Sequence, residues 1–196
     1  MNSETIKLEH KIIVSWVNSG ASVLDLGCGD GALLSLLVKE KGIRAQGIEI
    51  NDAAVHSCVA AGLSVFQQDI DSGLSDYGDD SFDFVILNQT FQQVKKPDFV
   101  LQEALRVGKK VVVGFPNFLY YPARFQMFFK GRVPVTPSLP YEWYNTPNLH
   151  FLSISDFKYF CQKREIFIEK SSYITNNRQI TLLANFLGEV GLFLLS

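Results

Sequence analysis

The sequence predicts an α/β fold, with a doubly wound, mostly parallel sheet and an antiparallel strand near the C-terminus. Three observations carry that reading. Short apolar runs alternate with helical patterns from Leu8 to about Phe115, the rhythm of βαβ units. The first of those runs ends in a glycine-rich turn that opens a helix. The run Phe82–Leu87 is uniformly apolar, as a strand covered on both faces must be. With 196 residues, 47% hydrophobic and 19% charged, one domain spanning 1–196 is expected.

Leu8, Ile12, Ile13 and Trp16 have helical spacing, and Asn18-Ser19-Gly20 stops that helix. Ser22–Leu26 reads as the first strand, Gly31–Glu40 as a helix and Ala45–Ile50 as the second strand. A helix over Ala53–Ala61 ends at Gly62, and Ser64–Gln67 is the third strand. Phe82–Leu87 and Lys110–Phe115 are strands four and five, separated by a helix over Pro97–Leu105. Composition then changes. Residues 115–151 hold 11 of the 25 aromatics and six of the seven prolines, so an irregular insertion is expected there as lid, substrate wall or docking surface. Ser155-Asp156 is expected to cap a helix running to Lys163, with strands over Ile166–Ile174 and Val190–Leu195. These last two lack a helical connection of the earlier type, which favours antiparallel pairing.

Net charge is −2, and no basic stripe is present to capture a nucleic-acid backbone or an anionic membrane. Cys28, Cys58 and Cys161 are odd in number, far apart and without histidine at ligand spacing. Neither a disulfide framework nor a zinc site is expected, and a cytoplasmic location is. Met1–His10 lacks the apolar core of a signal peptide. The apolar segment Ile180–Leu195 is interrupted by Asn185, Gly188, Glu189 and Gly191, and suits a buried terminal strand better than a membrane span.

The strongest chemical signal is Val23-Leu24-Asp25-Leu26-Gly27-Cys28-Gly29-Asp30-Gly31. Gly27 and Gly29 allow a ligand close to the backbone, at the strand ends where doubly wound sheets bind ligands. Gly27, Gly29 and Ala32 also satisfy a loose dinucleotide spacing. A pyrophosphate, however, wants positive charge or bare N–H groups there, and this turn carries Asp25 and Asp30. S-adenosylmethionine has no phosphate; its ammonium and sulfonium favour nearby carboxylates. Glu49, 20 residues after Gly29, could accept from both ribose hydroxyls. Asp69 could accept from the adenine amino group, although alone it reads as a loop residue or helix cap. Asn88 could offer a polar group near the methionine moiety. With Cys28, Gly31, Ile50 and Ile70, these form the candidate site for S-adenosylmethionine or S-adenosylhomocysteine.

The motif Asp25–Gly31, Glu49, Asp69 and the run Phe82–Leu87 resemble a class I methyltransferase, with its Rossmann-like sheet. Closer similarity is to the methionine biosynthesis protein MetW family. It is carried by VLDLGCGDGALL (Val23–Leu34), GIEI (Gly47–Ile50), FDFVILNQTFQQ (Phe82–Gln93), FPNF (Phe115–Phe118), GRVPVT (Gly131–Thr136) and LPYEWYNTPNLH (Leu139–His150). That resemblance covers nearly the whole chain. It implies a bacterial, cytoplasmic role in methionine synthesis, exercised with a homoserine O-acyltransferase of the MetX type. It implies no particular methyl acceptor.

No catalytic residue can be named. Methyl transfer relies on positioning, and needs a base only where the acceptor loses a proton. Asn88-Gln89-Thr90-Phe91 lacks the Pro-Pro-aromatic continuation of nucleic-acid amino methyltransferases. Gln92 and Gln93 stand where many small-molecule relatives carry histidine. His10 and His56 read as helix-surface residues, His150, in the aromatic segment, as the one histidine worth testing though better read as structural, and Cys28 as a small residue that fits its turn. Tyr141, Trp143 and Tyr144, with Arg124 and Arg132 nearby, could enclose an acceptor or grip a partner. Two functions stay open: a methyltransferase for a small molecule, and a ligand-sensing partner of an acyltransferase.

Overall fold

The computed structural model describes residues 6–196, so the first half of the Met1–His10 stretch lies outside the described residues. Eight strands form one sheet in the order β3-β2-β1-β4-β5-β8-β6-β7. Strands β1 (Ser22–Leu26), β2 (Arg44–Glu49), β3 (Val65–Gln67), β4 (Phe84–Asn88) and β5 (Val111–Pro116) are parallel to their neighbours among them. β8 (Val190–Leu195) runs antiparallel between β5 and β6 (Ile168–Thr175). β7 (Arg178–Ile180) completes a hairpin on β6. The expected class is therefore observed, with one short strand added at the edge. Asn176 and Asn177, both at positive φ, make the hairpin turn that the strand pattern did not reveal.

The pleat sorts the apolar residues into two layers. Leu24, Leu26, Val85, Leu87, Val111 and Val113 point to one face, against α4 (Pro97–Val107) and α6 (Ile154–Lys163). Val23, Phe84, Ile86 and Val112 point to the other, against α1 (Leu8–Trp16) and α2 (Ala32–Lys41). β4 and β5 are apolar on both faces for this reason. α3 (Asp52–Ala60) covers the β2–β3 edge and buries only Cys58.

Two local expectations are corrected. Ser155-Asp156 is not the cap of α6. Ser153 is, because its hydroxyl accepts from Asp156 N at 3.1 Å while the Asp156 carboxylate accepts from Ser153 N at 3.0 Å. This reciprocal box uses donors that the helix start leaves free. Strand four begins at Phe84 rather than Phe82, since Asp83 turns aside to accept from the Ser22 N and Oγ, both at 2.9 Å. The aromatic segment starts with the end of β5 and then contains the helix α5 (Tyr121–Lys130), followed by irregular chain to residue 153, and a short helix α7 (Ala184–Leu187) lies near it. Among the described residues no helix is long and apolar enough to cross a membrane. The segment Ile180–Leu195 instead ends in the buried strand β8.

Candidate functional site

Chain order reverses between β1 and β4, and the cleft of a doubly wound sheet opens at that switch point. β1 delivers Asp25 there, in register with Gly47 of β2 and Ile86 of β4. Past Leu26 the chain makes three left-handed residues in five: Gly27 (φ +74°), Gly29 (φ +56°) and Gly31 (φ +77°). Gly27 N and Cys28 N both donate to Ile48 O, which latches the turn onto the end of β2. A methyl group on Gly27 would come within 2.6 Å of Thr90. At Gly29 it would meet nothing within 4 Å, so only the backbone conformation demands glycine there.

The Glu49 carboxylate is the organising group at the end of β2. Its Oε2 accepts from Gly29 N at 2.8 Å, and its Oε1 from Ile50 N and Asn51 N, each at 2.9 Å. Asp25 is buried, and desolvation with Glu49 close by pushes its carboxyl up to about 7. Asp69 accepts from Asp71 N at 3.0 Å and caps a single 3-10 turn, Ile70–Ser72. Asp71 in turn accepts from Lys95 N and Lys96 N and ties that turn to the loop after β4. Asn88 ends β4, beside the room that Gly114 leaves, and its buried Oδ1 has no hydrogen-bond partner among the described residues.

These residues line one cleft of about 1010 Å³. Of the ten candidates only Gly31 is not in its wall; it starts α2 and packs on Cys58 and Leu63. Cys28 is buried over Gly47, its thiol pushed well up by desolvation, consistent with a fitted small residue rather than a nucleophile. Among the described residues, six carboxylates line the cleft (Glu9, Asp25, Asp30, Glu49, Asp69, Asp71) against three lysines and no arginine. That balance suits a cationic, phosphate-free ligand and opposes a pyrophosphate.

The structure adds residues that the pattern did not single out. α1 lays Glu9 and His10 over the cleft mouth. His10 is therefore not a helix-surface residue: its side chain is 13% exposed, and burial lowers its pKa against the opposing pull of Glu9. Gln89, at φ +61°, donates to Glu9 Oε2 at 3.2 Å while its carbonyl accepts from the side chains of Gln92 and Gln93. Only a non-glycine residue in the left-handed region could have hinted at this junction, and sequence does not print φ. His56 is exposed, and His150 is structural, its Nε2 lying 2.9 Å from Val94 O. Among the described residues no group of histidine, cysteine and acidic side chains could hold a metal ion.

A second compartment of about 490 Å³ shares Lys7, Glu9, Gln89 and Gln93 with the first. Pro137, Ser138, Pro140 and Tyr141 of the aromatic segment form one wall. Gln92 lines it too, and its buried Oε1 has no partner among the described residues.

The sheet order and the cleft place this chain among class I methyltransferase folds. It is similar to a solved S-adenosylmethionine-dependent methyltransferase from Archaeoglobus fulgidus, with a TM-score of 0.71 and 15% identity, covering 97% of this chain and 92% of the other. One from Mesorhizobium loti gives a TM-score of 0.71 and 17% identity, covering 96% and 97%. The family model for methionine biosynthesis protein MetW matches residues 7–195, and the chain belongs to that family. A "Bifunctional methionine biosynthesis protein MetXA/MetW" of Rhodopirellula baltica is 33% identical over 178 residues. The match takes in 86% of this chain but only 29% of that longer protein.

Proposed function

We propose that this protein binds S-adenosylmethionine or S-adenosylhomocysteine in the β1–β2–β4 cleft and serves methionine biosynthesis in the cytoplasm as partner or activator of a MetX-type homoserine O-acyltransferase. The observation that carries the ligand is the carboxylate-rich cleft, in which the buried Asp25 has no cationic side chain beside it among the described residues and Glu49 accepts from three N–H groups. The residues fit such a ligand. Glu49 would take the ribose hydroxyls on the lone pairs its backbone donors leave free. Ile50, 63% exposed at the cleft, would offer apolar surface to the adenine, with Asp69 and Ile70 at its edge. Asn88 Oδ1 would gain the donor it lacks, and Asp25 would face positive charge. The bound ligand would bring an activated methyl group, or its demethylated counterpart. The partner reading is supported by the relative that carries MetXA and MetW in one protein.

Titration calorimetry with both ligands tests the site. Glu49→Ala is expected to weaken binding by ~1–3 kcal/mol, because hydroxyls lose their acceptor and three turn N–H groups lose theirs. No heat at millimolar ligand, or preference for a nicotinamide dinucleotide, would reject the assignment. Co-purification with the homoserine O-acyltransferase of the same organism, and its assay with and without this chain, tests the partnership. No complex and no change in rate would reject it.

One observation favours a second reading, a methyltransferase acting on a small molecule. The compartment beside the cleft, where Gln92 Oε1 has no partner among the described residues, would be the place for an acceptor. Turnover of S-adenosylmethionine with a defined acceptor would establish it.

A further inference from the structure

We infer that the aromatic face of α5, continued by Phe186 of α7, is the surface on which the acyltransferase docks. The inference rests on the partnership proposed above and assigns it a place.

α5 has ten residues and buries only Ala123. A helix so short is marginal in water without packing. Its aromatic residues form a connected row. Tyr121, Phe125 and Phe129, spaced i, i+4, i+8, follow ring on ring with centroids 6.4 and 5.6 Å apart. Phe128 stands edge-on to Phe129 at 4.9 Å. Phe186 extends the row, 5.7 Å from Tyr121, with the Arg124 guanidinium over its ring at 5.5 Å. Phe125, Phe128 and Phe129 are nevertheless 50, 82 and 71% exposed. Scattered exposed apolar residues are ordinary, whereas a connected row of phenylalanines marks a surface that something covers. Aromatic rings beside arginine are also the composition of interface anchors.

Charge selects the occupant. Residues 117–141 contain Arg124, Lys130 and Arg132 and no Asp or Glu, in a chain whose net charge is −2. A second copy meeting this face across a two-fold axis would bring like charges together. A different protein with an apolar patch and an acidic rim would not. The acyltransferase is the partner for which the Rhodopirellula protein supplies independent support, since MetXA and MetW share one chain there.

The test is interferometry of the full chain against the same organism's homoserine O-acyltransferase. Phe128→Glu and Phe129→Glu are expected to raise Kd at least ~30-fold, the effect of losing an interface anchor. Val59→Ser, on exposed α3, is expected to change it less than about twofold. Lys130→Glu with Arg132→Glu keeps the aromatic row and is expected to slow association and flatten its salt dependence. Melting curves and S-adenosylhomocysteine titration check that each variant is folded. Should the phenylalanine variants misfold, the charge pair alone decides. Wild-type binding that all these variants retain would overturn the surface and leave the partnership standing. Absence of wild-type binding would overturn both. A wild-type dimer that Phe128→Glu converts to monomer, with acyltransferase affinity unchanged, would assign the face to self-association and overturn the inference. Loss of phosphatidylglycerol-vesicle binding in that variant, again with acyltransferase affinity unchanged, would assign it to a membrane surface.

Discussion

Asp25 shows how one residue can be poorly placed for stability and well placed for binding. It is buried at the end of β1 with Glu49 as its electrostatic neighbour, and its carboxyl is raised to about 7. The fold therefore favours the neutral acid. The cost of this residue is smallest below the unfolded pKa near 4 and grows as pH rises through 7. Asp25→Asn removes the ionisation, so its stability relative to wild type is expected to increase by about 1 kcal/mol between pH 6 and pH 8. Urea unfolding at the two pH values checks this, and a pH-independent difference would contradict the assignment. The neighbouring glycines differ in kind. Gly29→Ala meets no atom, so it is expected to cost only the ~1–2 kcal/mol of a side chain in the left-handed region. Gly27→Ala adds a collision with Thr90 and is expected to cost more in the same unfolding measurement.

Among the elements, α6 is defined at its start by the Ser153–Asp156 box, and Ser153 is itself buried. Ser153→Ala is expected to lower stability by ~1–2 kcal/mol, read as a fall in the urea midpoint at constant slope. The stretch just before α6, residues 115–151, hid the helix α5 behind its composition, because prolines and aromatics argue against regular structure. Pro122 is harmless at the first turn, where its missing N–H has no helical partner to lose. Gln126 then bridges to Val135, with Nε2 on Val135 O at 2.9 Å and Val135 N on Oε1 at 3.1 Å. This ties the aromatic helix to the strap that walls the second compartment.

For the whole molecule, the cleft closes only when α1, the turn after β1, and the loops after β2, β3 and β4 are brought together. A ligand that binds this assembly and not the unfolded chain must stabilise it. S-adenosylhomocysteine at 100 times its Kd is expected to add about 2.7 kcal/mol, visible as a concentration-dependent rise in melting temperature. No rise at saturating ligand would mean that the cleft is not the site.

What the sequence by itself determined was the sheet apart from its short edge strand β7, and the acids and glycines at the strand ends. Alternation and apolar runs are local, so β1 to β6 and β8 could be read from consecutive residues. The acids Asp25, Glu49 and Asp69 sit at strand ends, a position that parallel topology makes converge. Tertiary structure decided what no window of consecutive residues contains. It swung Glu9 and His10 from the first helix over a cleft formed by residues far along the chain. It gave Gln89 a left-handed backbone that joins α1 to the loop after β4. It spent the Glu49 carboxylate on three backbone donors before any ligand arrives. It also left the α5 phenylalanines facing water, because which side of an aromatic helix is covered depends on what packs there, and of the α5 residues only Ala123 is buried.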